Sequence, residues 1–251
     1  MLLERDDVNP NTPNINGQTP LWLAAYAGCE RIVNLLLGQG QVDPDKPDNT
    51  HRTPFCCAAQ VGNAGVVEIL LRQVEVNPSR LDEGGRSPLW WAACRGHVGV
   101  VKILLRRDNL KPDQPDDKGQ TPLSHAAERG HTEVVKILLG RDDVNPNTPD
   151  KDGKPPLWWA VQSGRQGMVK ILLERGDVNT NTLDKNGETP LHYAALDGLV
   201  EVVRMLLKRD DINPHKPDNK GETALSCAAR RGHTRVIALL QHQAAGAHGT
   251  D

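Results

Sequence analysis

The fold is indicated most clearly by residues 116–149, DDKGQTPLSHAAERGHTEVVKILLGRDDVNPNTP. The opening DDKG predicts a tight turn, after which Thr121 can cap a helix and Pro122 suits its first position. Gly130 predicts the end of that helix, because glycine adopts left-handed backbone angles at little cost. A second, apolar helix is expected at about residues 132–139, followed by an extended Asp-Val-Asn-Pro segment. The stretch therefore predicts a turn, two short helices and a projecting loop.

This pattern recurs along the chain with a period of 34 residues. Helices of two turns are not stable alone, since an isolated helix needs roughly a dozen residues, so each unit must pack against its neighbours. Seven copies without insertions predict an all-α stack in which each unit contacts only the adjacent ones. The related tripeptides begin at Thr19, Thr53, Ser87, Thr121, Pro155, Thr189 and Thr223.

The content of the unit distinguishes between two repeat families that share this period. The tetratricopeptide pattern W-x2-L-G-x2-Y is absent, whereas the turn, the TPLxxAA helix, the Gly-His turn, the VVKxLL helix and the loop resemble the ankyrin repeat. The resemblance implies an ankyrin-repeat solenoid of seven 34-residue helix-turn-helix units with projecting hairpin-like loops. The pairing of PLWWAA at residues 88–93 with DDVNPNTPD at residues 142–150 resembles the long ankyrin arrays of fungal proteins.

The repeat register also predicts the domain boundaries. MLLERDDVNP at the start of the chain aligns with LLGRDDVNP at residues 138–146, so residues 1–13 are expected to be the remnant of a preceding repeat. Residues 14–241 form the predicted ankyrin repeat domain of seven repeats. Residues 242–251 contain no loop of the repeated type and are predicted to be a disordered tail.

Composition excludes several classes of function. Among the 251 residues, 30 basic and 32 acidic side chains give a formal net charge of −2, so no excess of either sign points to nucleic acid or to anionic lipid. No apolar run is long enough to cross a bilayer, and the N-terminal residues lack the features of a signal peptide. We expect a cytoplasmic or nuclear protein that binds neither nucleic acid nor membrane.

Cysteine usage gives no sign of a disulfide framework or a zinc site. The number of cysteines is odd, and no two of them have CxxC spacing. They are predicted to be reduced thiols: Cys29, Cys56, Cys57, Cys94 and Cys227.

Tryptophan and cysteine occupy the two positions before the Ala pair in different repeats. Trp22, Trp90/Trp91 and Trp158/Trp159 alternate with copies that carry small residues, such as Cys56/Cys57. Alternation of large and small side chains predicts that the indoles fill core space left by their neighbours. The alternative is a small-molecule-binding or enzymatic pocket that these Trp and Cys pairs line.

The histidines give little support to catalysis. His97, His131 and His233 belong to the Gly-His turn, where a structural hydrogen bond is expected. His125 and His192 lie on first helices, and the sequence places no nucleophile or carboxylate to complete a triad with either. Phosphate-binding, dinucleotide-binding and metal-binding motifs are absent from the sequence. We predict no enzymatic activity, no cofactor and no metal.

The resemblance implies that a partner binds across the turn tips and the inner side of the first helices. The positions just after the Ala pair vary from copy to copy, which is expected of a surface that is free of packing constraints and can be used for recognition. Simple solvent exposure and drift would produce the same variation. Tyr26 and the recurrent Arg95, Arg129 and Arg231 are the preferred anchors, because aromatic and Arg side chains dominate interface hot spots. The predicted partner-binding residues are Tyr26, Gln60, Arg95, Glu128, Arg129, Gln162, Leu196 and Arg231.

These observations predict a protein–protein interaction module that binds a polypeptide of unknown identity on the concave face. A regulatory or sensing segment of a larger signalling protein is the first alternative. The pocket lined by Trp and Cys pairs is the second. We expect a monomer, with an end-to-end dimer as the alternative.

Overall fold

The computed structural model describes residues 9–107 and 110–246 of the chain. Within these residues it contains fourteen α-helices in seven consecutive pairs and no strand, which confirms the predicted all-α repeat fold. None of the described helices is long and apolar enough to cross a membrane. The first helices of the pairs are α1 (Pro20–Ala27), α3 (Pro54–Val61), α5 (Pro88–Arg95), α7 (Pro122–Arg129), α9 (Pro156–Gln162), α11 (Pro190–Leu196) and α13 (Ala224–Arg231). The second helices are α2 (Glu30–Leu37), α4 (Ala64–Leu70), α6 (Val98–Leu104), α8 (Thr132–Leu139), α10 (Gln166–Glu174), α12 (Val200–Leu207) and α14 (Thr234–Gly246).

The first helices begin and end as the sequence predicts. In α7, the Ser124 backbone N–H donates to the Thr121 hydroxyl over 3.2 Å, and Gly130 ends the helix with φ of 79°. Such a cap satisfies one of the backbone N–H groups that a helix start leaves unpaired.

Two helices depart from this pattern. In α9, Pro155 replaces the hydroxyl residue and provides no side-chain cap. Both α9 and α11 end one residue short of their glycine, with Ser163 and Asp197 as the C-caps.

The helices pack into two compact units, residues 1–117 (unit 1) and residues 118–251 (unit 2). In unit 1, α3 packs between α1 and α5, and α4 packs between α2 and α6. In unit 2, α9 and α11 pack in series between α7 and α13, and α12 packs between α10 and α14. The Leu of each Pro-Leu start is buried, and burial of one such side chain contributes about 1.5–3 kcal/mol. Each helix is thus stabilised by its neighbours.

The turns before the first helices are hydrogen-bonded to each other within each unit. The Glu83 N–H donates to the Thr50 carbonyl over 3.1 Å, and the Lys185 N–H donates to the Asp152 carbonyl over 2.8 Å. A side-chain oxygen braces several of these turns internally: Asp82 Oδ1 accepts from the N–H groups of Gly84 (2.9 Å) and Arg86 (3.0 Å), and Asn14 Oδ1 accepts the equivalent bonds in the first turn. These bonds fix the turn tips beside the first helices.

The projecting loops are linked by side-chain amides. The Asn147 amide donates to the Asp177 carbonyl over 2.7 Å and accepts from the Asn179 N–H over 2.8 Å. Asn11 and Asn181 make the same pair of bonds to their following loops. At these three positions an asparagine therefore joins one loop laterally to the next, whereas Asp45 and Ser79 occupy the same register position in other repeats.

The two ends of the chain extend beyond the described residues. Residues 1–8 of the predicted repeat remnant and residues 247–251 of the predicted tail lie outside them. Gln241, the predicted end of the last repeat, lies inside α14, so residues 242–246 are helical where a disordered tail was expected. The physical reason is that QHQAA contains strong helix formers and meets no glycine before Gly246.

Candidate functional site

The predicted partner-binding residues lie at the ends of the first helices, on a surface of each unit that we call its first-helix face. In unit 1, Tyr26 is 56% exposed, Arg95 is exposed and Gln60 is half-buried. In unit 2, the exposed members are Arg129, Gln162 and Arg231, and the half-buried members are Glu128 and Leu196. All eight side chains are thus at least partly accessible to a partner.

The main-chain carbonyl groups at this position are held by the next repeat. The Asn63 side-chain amide donates to the Tyr26 carbonyl over 3.0 Å, and His97 Nε2 lies 3.0 Å from the Gln60 carbonyl oxygen. A helix end leaves such carbonyls without an intrahelical partner, so these bonds fix the last turn in place. They also confirm the structural role that was predicted for the Gly-His turn. In unit 2, the corresponding bonds join Arg165 to Glu128 (2.7 Å) and His233 to Leu196 (3.0 Å).

At the start of unit 1, the first-helix face combines stacked aromatic rings with a guanidinium group. The Trp22 and Tyr26 rings are stacked, with centroids 5.7 Å apart and planes 10° from parallel. The Arg52 guanidinium lies 5.9 Å from the Trp22 ring centroid and donates to Gln60 Oε1 over 3.2 Å. The exposed Tyr26 ring therefore rests on a buried partner and has little freedom to move.

In unit 1, two guanidinium groups also lie close to the Trp91 ring. Arg86 lies 4.4 Å and Arg95 lies 5.9 Å from its ring centroid. The Trp91 indole N–H donates to Asp82 Oδ2 over 2.9 Å, and Arg86 forms an ion pair with the same carboxylate over 3.0 Å. Arg95 forms no ion pair within the part of the chain that the structure describes. Its charge is thus available on the first-helix face.

The face in unit 2 is more mixed in charge. Glu128 Oε2 lies 3.3 Å from His125 Nδ1. Burial, together with the Asp197 charge, raises the pKa of Tyr193. The Lys154 ammonium lies 4.0 Å from the Trp158 ring centroid. These contacts give unit 2 both acidic and basic groups beside its first helices.

The Trp and Cys residues at the two positions before the Ala pair are buried in the core, except for Trp159, which is half-buried. Cys56 and Cys94 pack with Trp90 and Trp91 in one buried cluster, as the alternation of large and small residues predicts. Burial raises the pKa of the Cys56 thiol, and burial raises that of Cys57 to about 12. A nucleophilic cysteine requires a lowered pKa, so these thiols are poor candidates for catalysis. All five cysteines are free thiols.

Metal binding has no support from the described residues, which contain no group of three or more His, Cys, Asp or Glu side chains able to hold an ion.

Sequence reasoning missed the cations that cover the indole rings. Arg52, Arg86 and Lys154 each lie directly before the capping position of their repeat and face a Trp ring. Their recurrence at one register position of the 34-residue period was the signal that would have identified them.

Comparisons with known proteins agree with this architecture. The family model for ankyrin repeats (3 copies) matches residues 1–82, 40–116, 109–182 and 176–250. The ankyrin repeat domain of Bcl-3, described as a unique member of the IkappaB protein family, is similar at TM-score 0.79 and 28% identity, covering 90% of this chain and 99% of that one. The human ASB11 ankyrin repeat domain is similar at TM-score 0.74 and 28% identity, covering 88% and 97%. No curated protein matches the sequence.

Ankyrin repeat domains are generally protein–protein interaction modules and are typically non-enzymatic scaffolds. The family match extends over practically the whole length of the sequence. The described residues form the seven helix pairs that the repeat predicts. The chain belongs to the ankyrin repeat family.

Proposed function

We propose that this chain binds a polypeptide partner on its first-helix face, the concave side of an ankyrin stack. The observation that carries the proposal is that Tyr26 and Arg95 are both exposed while each rests on a buried indole ring, Trp22 or Trp91. Aromatic and Arg side chains are the commonest interface hot spots. Because they are already positioned, little conformational entropy is lost when a partner binds.

The backbone beneath these side chains supports rigid docking. The bonds from Asn63 and His97 hold the carbonyls of Tyr26 and Gln60 from the following repeat. Most pre-organised interfaces move by about 1 Å or less on binding. We therefore expect a partner to meet a face that is already in its binding conformation.

In unit 2, the same register position supplies further contacts. Arg129 and Arg231 are exposed and form no ion pair within the described residues. Gln162 is exposed, and Glu128 and Leu196 are partly accessible. Within each unit, binding would use the variable positions of successive repeats while the repeated core keeps its structure.

The hydrogen bonds of His192, which could otherwise act as a general base, are consistent with a non-catalytic role. Its Nδ1 accepts from the Thr189 N–H over 3.1 Å, and its Nε2 lies 3.1 Å from the Glu222 carbonyl oxygen. An imidazole that accepts at Nδ1 donates at Nε2, so both nitrogens are used inside the fold. This arrangement leaves no nitrogen of His192 to take a proton from a substrate.

The proposal is tested by site-specific photo-crosslinking in a lysate of the source cells. A photoreactive amino acid replaces Tyr26 or Arg95 on the first-helix face, and matched controls carry it at Glu68 or Lys102 on the second helices α4 and α6. We expect a polypeptide to be crosslinked from the first two positions and not from the controls. Equal crosslinking from all four positions, or crosslinking from the controls alone, would show that the partner binds elsewhere.

The exposed side chains of the first repeat bear on a proposal about the oligomeric state. Leu23, Ile32 and Leu35 of the first repeat are exposed, whereas the residues in register with them in the next repeat, Cys57, Val66 and Ile69, are buried. We propose that the chain is mainly monomeric and that this apolar end supports end-to-end pairing at high concentration. Sedimentation velocity over a wide concentration range tests this, and replacement of Leu35 by Glu should abolish any dimer.

A further inference from the structure

A second surface feature of unit 2 lies between two second helices and contains no residue of the first-helix face. A cleft of about 340 Å³ opens between α10 and α12. It is lined by Lys170, Leu173, Glu174, Met205, Lys208 and Arg209. This volume lies within the range of small-molecule sites, roughly 300–1,000 Å³.

The floor of the cleft is apolar and one end is rigid. Leu173 and Met205 are half-buried and come from the two facing helices. Arg209 bridges the helix ends: its Nη1 donates to the Leu173 carbonyl over 3.4 Å and its Nη2 donates to the Gly176 carbonyl over 3.3 Å. Asp211 neutralises the Arg209 charge through an ion pair of 3.0 Å. Arg209 therefore forms a wall of the cleft, and its charge is already paired with the Asp211 carboxylate.

The two lysines of the cleft form no ion pair with an acidic side chain of the described residues. Lys170 and Lys208 are exposed, and neither forms an ion pair or a hydrogen bond within the described part of the chain. Glu174 is the single acidic residue among the lining side chains. Two unpaired ammonium groups against one carboxylate leave the cleft with a net positive charge beside an apolar floor. The lysine stems can lie along that floor while their ammonium groups remain in water.

The size of the cleft suits a small occupant. At roughly 30 Å³ per non-hydrogen atom, the share of one water in the liquid, the cleft holds about ten to twelve atoms. A protein interface uses about 20–30 residues on each side, far more than the six that line this cleft.

We propose that the cleft between α10 and α12 binds a small carboxylate with an apolar body of this size. The carboxylate contacts the ammonium groups of Lys170 and Lys208, and the apolar body lies on Leu173 and Met205. This site is independent of polypeptide binding on the first-helix face. A ligand of about ten atoms bound with ordinary efficiency has a Kd on the order of a few millimolar or tighter.

The test uses the full chain labelled with 13C at the methionine methyl groups. The sequence contains three methionines; Met205 lines the cleft and Met168 is 2% exposed, so Met168 serves as an internal control. Replacement of Met205 by Leu assigns its signal. Octanoate is titrated as the probe, and octanol, which has the same chain without a charge, is the matched ligand.

We expect octanoate to shift the Met205 signal to saturation while the Met168 signal stays in place. Octanol should bind roughly tenfold more weakly, and the double variant Lys170→Gln/Lys208→Gln should weaken octanoate binding to a similar extent. Lys136→Gln, which lies in the same register as Lys170 one repeat earlier, should leave binding unchanged. The proposal is overturned if Met205 shows no saturable shift, if octanol binds as well as octanoate, or if Lys136→Gln weakens binding as much as the double variant.

Discussion

His97 and Gln60 are joined across two repeats: the His97 Nε2 lies 3.0 Å from the Gln60 carbonyl oxygen, 37 residues earlier in the chain. The bond ties the start of α6 to the end of α3, the first helix of the preceding repeat. It therefore couples the packing of the repeats to the position of a residue on the first-helix face. Asn63 makes the equivalent contact one repeat earlier, to the carbonyls of Ala25 (2.8 Å) and Tyr26 (3.0 Å).

Replacement of His97 by Ala should lower the free energy of unfolding by about 1–2 kcal/mol, because the Gln60 carbonyl loses its partner. Replacement by Asn should recover at least half of that loss, since Asn63 reaches the same kind of acceptor from the same register position. Urea unfolding followed by circular dichroism measures both variants. An Asn variant as unstable as the Ala variant would show that the ring packing, and not the hydrogen bond, stabilises this position.

Asp82 is the centre of the turn that supports Trp91. Its buried carboxylate accepts from two backbone N–H groups, from the Trp91 indole and from Arg86. Asp82→Ala should cost about 2–4 kcal/mol of unfolding free energy, since it leaves several buried donors unsatisfied. Asp82→Asn keeps an acceptor oxygen and should cost clearly less. Urea unfolding followed by circular dichroism measures both variants; equal losses would contradict the assigned role of the acceptor.

His51 is the single non-glycine residue with positive φ in the described part of the chain, at 62°. The equivalent turns use glycine, for example Gly85 with φ of 71°. A left-handed conformation costs a residue with a Cβ about 1–2 kcal/mol, and glycine removes this cost. Part of the gain is offset because glycine has more conformational freedom in the unfolded chain. His51→Gly should therefore stabilise the protein by about 0.5–1 kcal/mol in urea unfolding. The reverse control, Gly85→Ala, should destabilise it; a destabilising His51→Gly would mean that the exposed imidazole makes a favourable contact.

Burial of the Cys57 thiol predicts a pH dependence of stability. Its pKa is raised to about 12 in the folded protein, above the ordinary value near 9. The folded state thus holds a proton that the unfolded state loses, so the contribution to stability is complete below pH 9 and falls as the pH rises from 9 towards 12. The slope for one thiol approaches about 1.4 kcal/mol per pH unit. Unfolding measured between pH 8 and 10.5 should show a smaller slope for Cys57→Ala than for the unchanged protein; identical slopes would contradict the assigned burial.

The helices were predictable because their signals are local. The cap at Thr121, the proline after it and Gly130 act within a few residues, and the predicted bounds of α7 and α8 agree with those observed, Pro122–Arg129 and Thr132–Leu139. The predicted end of the last helix, Gln241, was wrong. The absence of a repeat-type loop after it was taken as the end of regular structure, although the following Gln and Ala residues favour helix.

The contacts between repeats were harder to predict. The amide bonds of Asn147 and the cation contact of Arg52 with Trp22 join residues about one period apart, so they depend on how neighbouring units stack. The register identified the positions of Tyr26 and Arg95, but their support by indole rings became clear only from the packing. The cleft beside Met205 is a gap between helices, and a sequence pattern carries no signal for a gap.

The most direct test of the proposed function is the affinity of the partner captured by crosslinking, measured with purified proteins by isothermal titration calorimetry. The double variant Tyr26→Ala/Arg95→Ala is compared with the control Glu68→Ala/Lys102→Ala on the second helices, after circular dichroism shows that both are folded. Truncation of two hot-spot residues costs at least about 2 kcal/mol, so Kd should rise roughly thirtyfold or more for the first variant and stay within about twofold for the control. An unchanged Kd for the first variant, with a loss of affinity for the control, would place binding on the second helices and contradict the assignment of the first-helix face.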